Sequence, residues 1–261
     1  MVGVKQQLAD LVSEPLPCHQ QATVEALLTI LVHCRDVLRH LLQNRITSAD
    51  DFEWTRQLHY DWHDSTSLCY VVHAQASFMY GYVYLGCSPR LVITPLTDRC
   101  WLTLTGALSL HLGGAPAGPS GTGKTETVKD LAKALGKFCL VLNCFDSLDY
   151  KMMGKLYSGM VQSGSWCCFD EFNCINVEVL SVIAAQLQSI KAAMHSHSLR
   201  FVFEGRDIRL NASCGFFITM NPGRGEKDNS EIILQHALPL LPSLSEVHRR
   251  TSVFMQVLHT L

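Results

Sequence analysis

The sequence lacks an excess of charge of either sign. Its 21 Lys and Arg against 23 Asp and Glu leave a formal net charge of -2, which removes the electrostatic case for a nucleic-acid or anionic-membrane surface. Long apolar runs are missing too. The longest near the start, Leu27-Leu28-Thr29-Ile30-Leu31-Val32, is far shorter than the roughly 20 residues that span a bilayer. Met1 to Val12 contain no apolar core of signal-peptide length. There is no internal repeat and no low-complexity segment, and 48% hydrophobic against 17% charged residues exclude a disordered chain. The 11 cysteines form no Cys-x-x-Cys pair. Cys167, Cys168 and Cys174 lie close in sequence without zinc-site spacing. Buried, reduced thiols in a soluble cytoplasmic protein are expected.

Residues 1 to about 75 read as helical. Val24, Leu27, Leu28, Leu31, Val32, Leu38, Leu41 and Leu42 recur at three- and four-residue steps, with Thr23 as an N-cap and Asn44 as a stop. A second helix is expected from Ser48-Ala49-Asp50-Asp51 through Phe52, Trp54, Leu58, Tyr60 and Trp62. His59 and His63 would then share a helical face, although a metal site needs a further ligand. Beyond Gly86 the pattern changes. Thr97 to His111, Thr125 to Leu135, Ser147 to Ser163 and Val177 to Met194 read as helices. Phe138–Leu142, Trp166–Phe169 and Phe216–Met220 read as buried strands between them. Strands alternating with helices predict a parallel sheet covered on both faces. Arg200–Glu204 and Asp207–Leu210 flank Gly205-Arg206 and predict an inserted β-hairpin.

Three motifs carry chemistry. Gly118-Pro119-Ser120-Gly121-Thr122-Gly123-Lys124-Thr125 matches the phosphate-binding loop at every fixed position. Its glycines let backbone N–H groups close on phosphate oxygens. Lys124 can reach the terminal phosphates of ATP, Thr125 can ligate Mg²⁺, and the following helix presents its positive end. Gly136 is placed to cap that helix. One strand–helix unit later, Trp166-Cys167-Cys168-Phe169-Asp170-Glu171 delivers two carboxylates at a strand end. Asp170 suits Mg²⁺, held through water, and Glu171 suits the orientation of an attacking water. Third, Asn221 follows the strand ending in Met220, where an amide can hold that water from the other side.

In this order the motifs describe an AAA+ ATPase, a three-layer α/β/α P-loop fold. Leu91-Val92-Ile93-Thr94-Pro95-Leu96-Thr97-Asp98-Arg99, Gly113-Gly114-Ala115-Pro116-Ala117, Cys168-Phe169-Asp170-Glu171-Phe172-Asn173 and Phe217-Ile218-Thr219-Met220-Asn221-Pro222-Gly223 resemble the first AAA+ module of dynein heavy chains. Asp51-Phe52-Glu53-Trp54 and Tyr80-Gly81-Tyr82-Val83-Tyr84-Leu85-Gly86 resemble the end of the dynein linker. The resemblance divides the chain into a helical linker segment (1–78), the large AAA+ subdomain (79–223) and a tail (224–261) that departs from the family pattern.

The resemblance implies several roles. Leu91, Val92, Ile93 and Thr94 line the adenine pocket. Gly118 to Thr125 hold the phosphates, Thr125 and Asp170 hold Mg²⁺, Glu171 handles the hydrolytic water and Asn221 is the sensor. It implies a microtubule motor of cytoplasm or ciliary axoneme, with dynein intermediate, light intermediate and light chains as partners. It also implies that, without the family's fifth strand and lid, the chain as written does not move along microtubules alone. A nucleotide-binding interaction protein without turnover and an AAA+ remodelling ATPase are the alternatives.

Overall fold

The structure, a computed structural model, describes residues 2–12, 15–144, 149–175 and 177–220. It divides into two compact units, residues 1–106 with 130–137, and residues 107–129 with 138 onward.

The first unit opens with α1 (Val2–Val12) and α2 (Cys18–Gln43). α2 begins after Pro17, so Thr23 is not its cap; the Thr23 hydroxyl instead donates to the His19 carbonyl at 2.8 Å. Asn44 does end the helix. A short helix, α3 (Phe52–Thr55), is capped by Asp51, whose carboxylate accepts the Glu53 N–H at 2.9 Å.

The expected continuation of that helix through Trp62 is overturned. β1 (Leu58–His63), β2 (Leu68–His73) and β3 (Ala76–Met79) form an antiparallel meander. Leu58, Tyr60 and Trp62 are spaced by two, the strand period, and Asp64-Ser65-Thr66-Ser67 supplies turn residues before β2. The segment expected to be wholly helical is therefore part sheet. His59 and His63 lie on a strand paired with β2, and the His59 ring stacks on Trp54.

On β2, Val71 and His73 are both buried, two residues apart. His73 Nε2–H donates to the Arg56 carbonyl at 2.8 Å, which leaves Nδ1 to accept the Thr105 hydroxyl at 2.9 Å. Burial pushes the His73 imidazole below its ordinary pKa. Further contacts tie this meander to residues 130–137. Tyr60 donates its hydroxyl to the Ala134 carbonyl at 2.9 Å, and the Gly81 N–H bonds the Leu135 carbonyl at 2.9 Å. Gly136 takes a positive φ of 63° as the expected cap, with the Tyr80 ring packed where a Cβ would stand. α4 (Pro95–Ser109) and α5 (Lys124–Ala134) complete the helices that reach this unit.

The second unit is built on a parallel sheet. β4 (Cys139–Asn143), β5 (Trp166–Asp170) and β8 (Gly215–Ile218) pair in the order β4-β5-β8. The extended segment 114–117 lies along the free edge of β8, bridging Gly114 to Phe217 and Ala117 to Met220 in parallel. These extended segments run parallel; 114–117 leads into the Gly118–Thr125 loop, and β5 ends at Asp170 and leads into Glu171. β5 is central, and Trp166, Cys167, Cys168 and Phe169 are all buried, as a strand covered on both faces requires. α6 (Tyr150–Ser163) and α7 (Val177–His195) link the strands and share one core with the sheet. Tyr157 sits within it, edge-on to Phe169 and Phe216.

The expected hairpin forms as β6 (Arg200–Phe203) and β7 (Arg206–Arg209). Its turn is Glu204-Gly205, one residue earlier than the sequence suggested. Both residues have positive φ, 48° and 77°, the geometry of a two-residue turn that follows strand twist. The Glu204 carboxylate accepts from Gln186 on α7 and rests on Gly154 of α6, where a Cβ would collide with it.

Candidate active site: a phosphate loop beside two carboxylates

The loop from Gly118 to Thr125 leaves the sheet edge directly, the Gly118 N–H bonding the Met220 carbonyl at 3.3 Å. Gly121 and Gly123 have φ of 81° and 77°, a region where a side chain is strained. These two glycines are therefore required by the loop's shape. α5 starts at Lys124, so its N-terminal N–H groups and positive dipole end open onto the loop.

Lys124 folds back over the loop. Its ammonium donates to the carbonyls of Gly118 at 3.0 Å and Pro119 at 2.7 Å. Thr122 donates its hydroxyl to the Pro119 carbonyl at 2.9 Å. Burial pushes the Lys124 pKa below the ordinary lysine range, and the nearby carboxylates of Asp170 and Glu171 oppose part of that shift. A desolvated ammonium between glycine turns gains from an incoming anion.

The carboxylates arrive from β5. Thr125 donates its hydroxyl to Asp170 Oδ1 at 2.8 Å, joining the first turn of α5 to the end of the central strand. Glu171 follows in a left-handed conformation, φ 53° and ψ 47°. The resulting open cleft of about 360 Å³ is lined by Ser120, Gly121, Gly123, Lys124, Thr125, Glu126, Lys129, Val141, Asp170 and Glu171. That volume lies within the range of small-ligand sites. Its polar side chains are the hydroxyls of Ser120 and Thr125, the carboxylates of Glu126, Asp170 and Glu171, and the ammoniums of Lys124 and Lys129. Such a set can hold a divalent cation together with phosphate oxygens, the chemistry of a Mg²⁺–polyphosphate.

The chain matches, over residues 80–232, the family described as the hydrolytic ATP binding site of dynein motor region. The chain belongs to the dynein heavy chains. Human dynein axonemal heavy chain 6 is 57% identical over 216 residues, 83% of this chain and 5% of that protein. Human dynein axonemal heavy chain 1 is 49% identical over 249 residues, 93% of this chain and 6% of that protein. The Chlamydomonas reinhardtii dynein-1-beta heavy chain of the flagellar inner arm I1 complex is 49% identical over 226 residues, 85% of this chain and 5% of that protein. The chain thus spans about one-twentieth of the length of these dynein relatives. The second unit has the AAA+ α/β fold, and the matched region is a dynein ATP-binding motor module.

Of the site residues expected from the sequence, Ser120, Gly121, Gly123, Lys124, Thr125, Asp170 and Glu171 line one cleft. Gly118, Pro119 and Thr122 shape its loop through the bonds given above. Leu91, Val92, Ile93 and Thr94 stand in the first unit and are not among the cleft-lining residues. There the Leu91 N–H lies 3.5 Å from Asp130 Oδ1, Val92 is exposed, and the Thr94 hydroxyl accepts the Thr97 N–H at 3.3 Å at the start of α4. Asn221 and the tail from residue 224 lie outside the described residues.

Sequence reasoning missed three members of the dynein site. Lys129 and Glu126 pair at 2.6 Å on the cleft wall. Their positions on the helix after the loop were a legible signal. The third is Thr219, a buried hydroxyl in an otherwise apolar run, Phe216-Phe217-Ile218-Thr219-Met220. A polar group in such a run needs a partner, and that need was the readable clue.

Proposed function

We propose that the cleft binds Mg²⁺–ATP and hydrolyses it, as the hydrolytic site of a dynein heavy chain that moves on microtubules in a ciliary axoneme. The observation that carries this reading is the 2.8 Å bond from the Thr125 hydroxyl to Asp170 Oδ1. It brings the phosphate-loop hydroxyl and the strand-end carboxylate to one point, where both can serve one cation. Mg²⁺, when bound, would supply charge neutralisation for the phosphates.

The chain's own residues do the rest. Gly121 and Gly123 shape the loop, Lys124 draws the terminal phosphates, and the α5 N-terminus adds its dipole. Asp170 accepts the hydrogen bond from the Thr125 hydroxyl, which leaves the Thr125 lone pairs for metal. Glu171, beside Asp170, orients the attacking water and draws on its proton. Asn221 is assigned the opposite side of that water, and Leu91–Thr94 are assigned the adenine. The axonemal and flagellar names of the relatives support the axoneme as location. Dynein intermediate, light intermediate and light chains are the proposed partners. We further assign residues 1–78 to the linker, 79–223 to the AAA+ subdomain and 224–261 to a separate tail.

The test is calorimetric titration of ATP with Mg²⁺ into the 261-residue chain and its Lys124→Ala variant. Saturable binding by the first and loss of most affinity in the second are expected, because Lys124 is the loop's only side-chain cation. Equal affinity in both would refute the assignment.

A further inference from the structure

We infer that Thr219 is the residue that positions the metal-facing and water-facing carboxylates as one unit, an inference resting on the Mg²⁺–ATP reading above. Thr219 is 1% exposed and follows β8. It bonds to four consecutive residues of the neighbouring strand end. Its N–H donates to the Phe169 carbonyl at 2.8 Å, and its carbonyl accepts the Phe172 N–H at 3.0 Å. Its hydroxyl donates to Asp170 Oδ1 and accepts the Glu171 N–H at 3.2 Å.

The hydroxyl's single hydrogen fixes the direction of both bonds. The carboxylate can only accept, so the hydroxyl donates to Asp170, and its lone pair is left for the Glu171 N–H. One side chain therefore reads both carboxylate residues, the first through its side chain and the second through its backbone. Asp170 Oδ1 receives two hydroxyls, from Thr125 and from Thr219, which fixes the carboxylate's rotation about its own strand. Glu171 sits at φ 53°, a conformation that a non-glycine residue holds only when its surroundings over-determine it. The bonds from Thr219 to the N–H groups of Glu171 and Phe172 on either side of that φ/ψ pair are the restraint. Their loss frees the backbone that aims the Glu171 side chain.

The backbone bonds of Thr219 would survive any substitution that keeps the strand. The hydroxyl bonds would not. Thr219→Val keeps the β-branched shape and removes only the hydroxyl's chemistry, whereas Thr219→Ser keeps the hydroxyl and removes a methyl group. The two variants separate positioning from packing.

The experiment measures binding of a fluorescent ATP analogue to the 261-residue chain across a Mg²⁺ titration, with the same measurement in EDTA. Melting curves and amide hydrogen exchange at Glu171 accompany it. For Thr219→Val, the Mg²⁺ concentration at half-maximal binding should rise about 10-fold or more, the usual consequence of removing a group that orients a metal ligand. Binding in EDTA should stay within about 2-fold, because the phosphate loop is untouched. Exchange at the Glu171 amide should accelerate, and Thr219→Ser should behave as the unsubstituted chain in every readout. An unchanged Mg²⁺ midpoint in Thr219→Val would overturn the inference. So would a Thr219→Ser variant as impaired as Thr219→Val, since the hydroxyl would then not be the operative group. Absence of binding by the unsubstituted chain at every Mg²⁺ concentration would instead overturn the nucleotide reading itself.

Discussion

Arg90 and Asp130 are joined by a forked ion pair, Arg90 Nε to Asp130 Oδ1 at 2.9 Å and Nη2 to Oδ2 at 3.4 Å. The Asp130 side chain is 1% exposed and that of Arg90 20%. The pair ties α5 to the backbone of Leu91, whose N–H lies 3.5 Å from the same Oδ1. A buried carboxylate is tolerated because the guanidinium and its geometry satisfy it.

Removing one partner leaves the other without compensation. Arg90→Met should destabilise the chain by about 3 kcal/mol, at the lower end for broken buried pairs because Arg90 keeps some solvent contact. The Arg90→Met/Asp130→Leu double variant should recover most of that loss, since an apolar pair can replace a buried ionic one. Urea denaturation of the three proteins measures both. A double variant less stable than Arg90→Met would contradict the buried-pair reading.

The two strand-end carboxylates should separate in function. Glu171→Gln is expected to keep nucleotide affinity within about 2-fold while lowering any hydrolysis by about 10²-fold or more. Asp170→Asn is expected to weaken the Mg²⁺ dependence of binding, because it removes the negative charge beside the Thr125 hydroxyl while an amide oxygen can still accept that hydroxyl. Phosphate release and a Mg²⁺ titration decide the matter. Exchange of these two phenotypes would reverse the assigned roles.

Tyr157 is fully buried, and among the described residues its hydroxyl has no hydrogen-bond partner. An unsatisfied buried hydroxyl costs about 1 to 3 kcal/mol, while the ring's edge contacts with Phe169 and Phe216 stabilise. Tyr157→Phe should therefore leave the melting temperature unchanged or raise it. Tyr157→Ala should cost about 3 to 5 kcal/mol. A Phe variant less stable by more than about 1 kcal/mol would reveal a bond to this hydroxyl that Phe cannot make.

Much of this site was legible in the sequence because its parts are local. The phosphate loop needs glycines at fixed steps, and Gly121 and Gly123 adopt the positive φ that explains them. The central strand announced itself as the unbroken apolar run Trp166–Phe169, with Asp170 and Glu171 at its end. The meander at 58–79 was not legible as a helical-period count, because Phe52, Trp54, Leu58, Tyr60 and Trp62 satisfy two periods at once. Tertiary pairing with Leu68–His73 decided for the strand. Asp130 was hidden for another reason: its role exists only across the fold, and nothing at positions 90 or 130 alone names the other as partner. The Thr219 hydroxyl announced in its apolar run that it needs a partner, but not that the partners are Asp170 and Glu171.

Stability should fall on acidification through His73. Its folded pKa lies below the ordinary 6.5 because burial disfavours the imidazolium, with Asp98 and the Arg56 carbonyl opposing part of the shift. A base with a depressed folded pKa contributes its full stability above about pH 6.5 and loses it as pH falls through the folded value. Melting temperatures at pH 7.5 and 5.5 test this for the native chain and for His73→Gln, whose amide can still donate to the Arg56 carbonyl. The native chain should lose more than the variant between the two pH values. Parallel losses would show that His73 does not titrate as its surroundings require.

The most direct test of a single Mg²⁺–nucleotide site uses Mn²⁺ in place of Mg²⁺, observed by electron paramagnetic resonance in the presence of ATP. The expected result is one tightly bound Mn²⁺ per chain that appears only with nucleotide. Its affinity should fall about 10-fold or more in Asp170→Asn and in Thr125→Val, and it should disappear in Lys124→Ala. Nucleotide-dependent Mn²⁺ binding that persists unchanged in Asp170→Asn and Thr125→Val would contradict the claim that this hydroxyl and this carboxylate hold one cation.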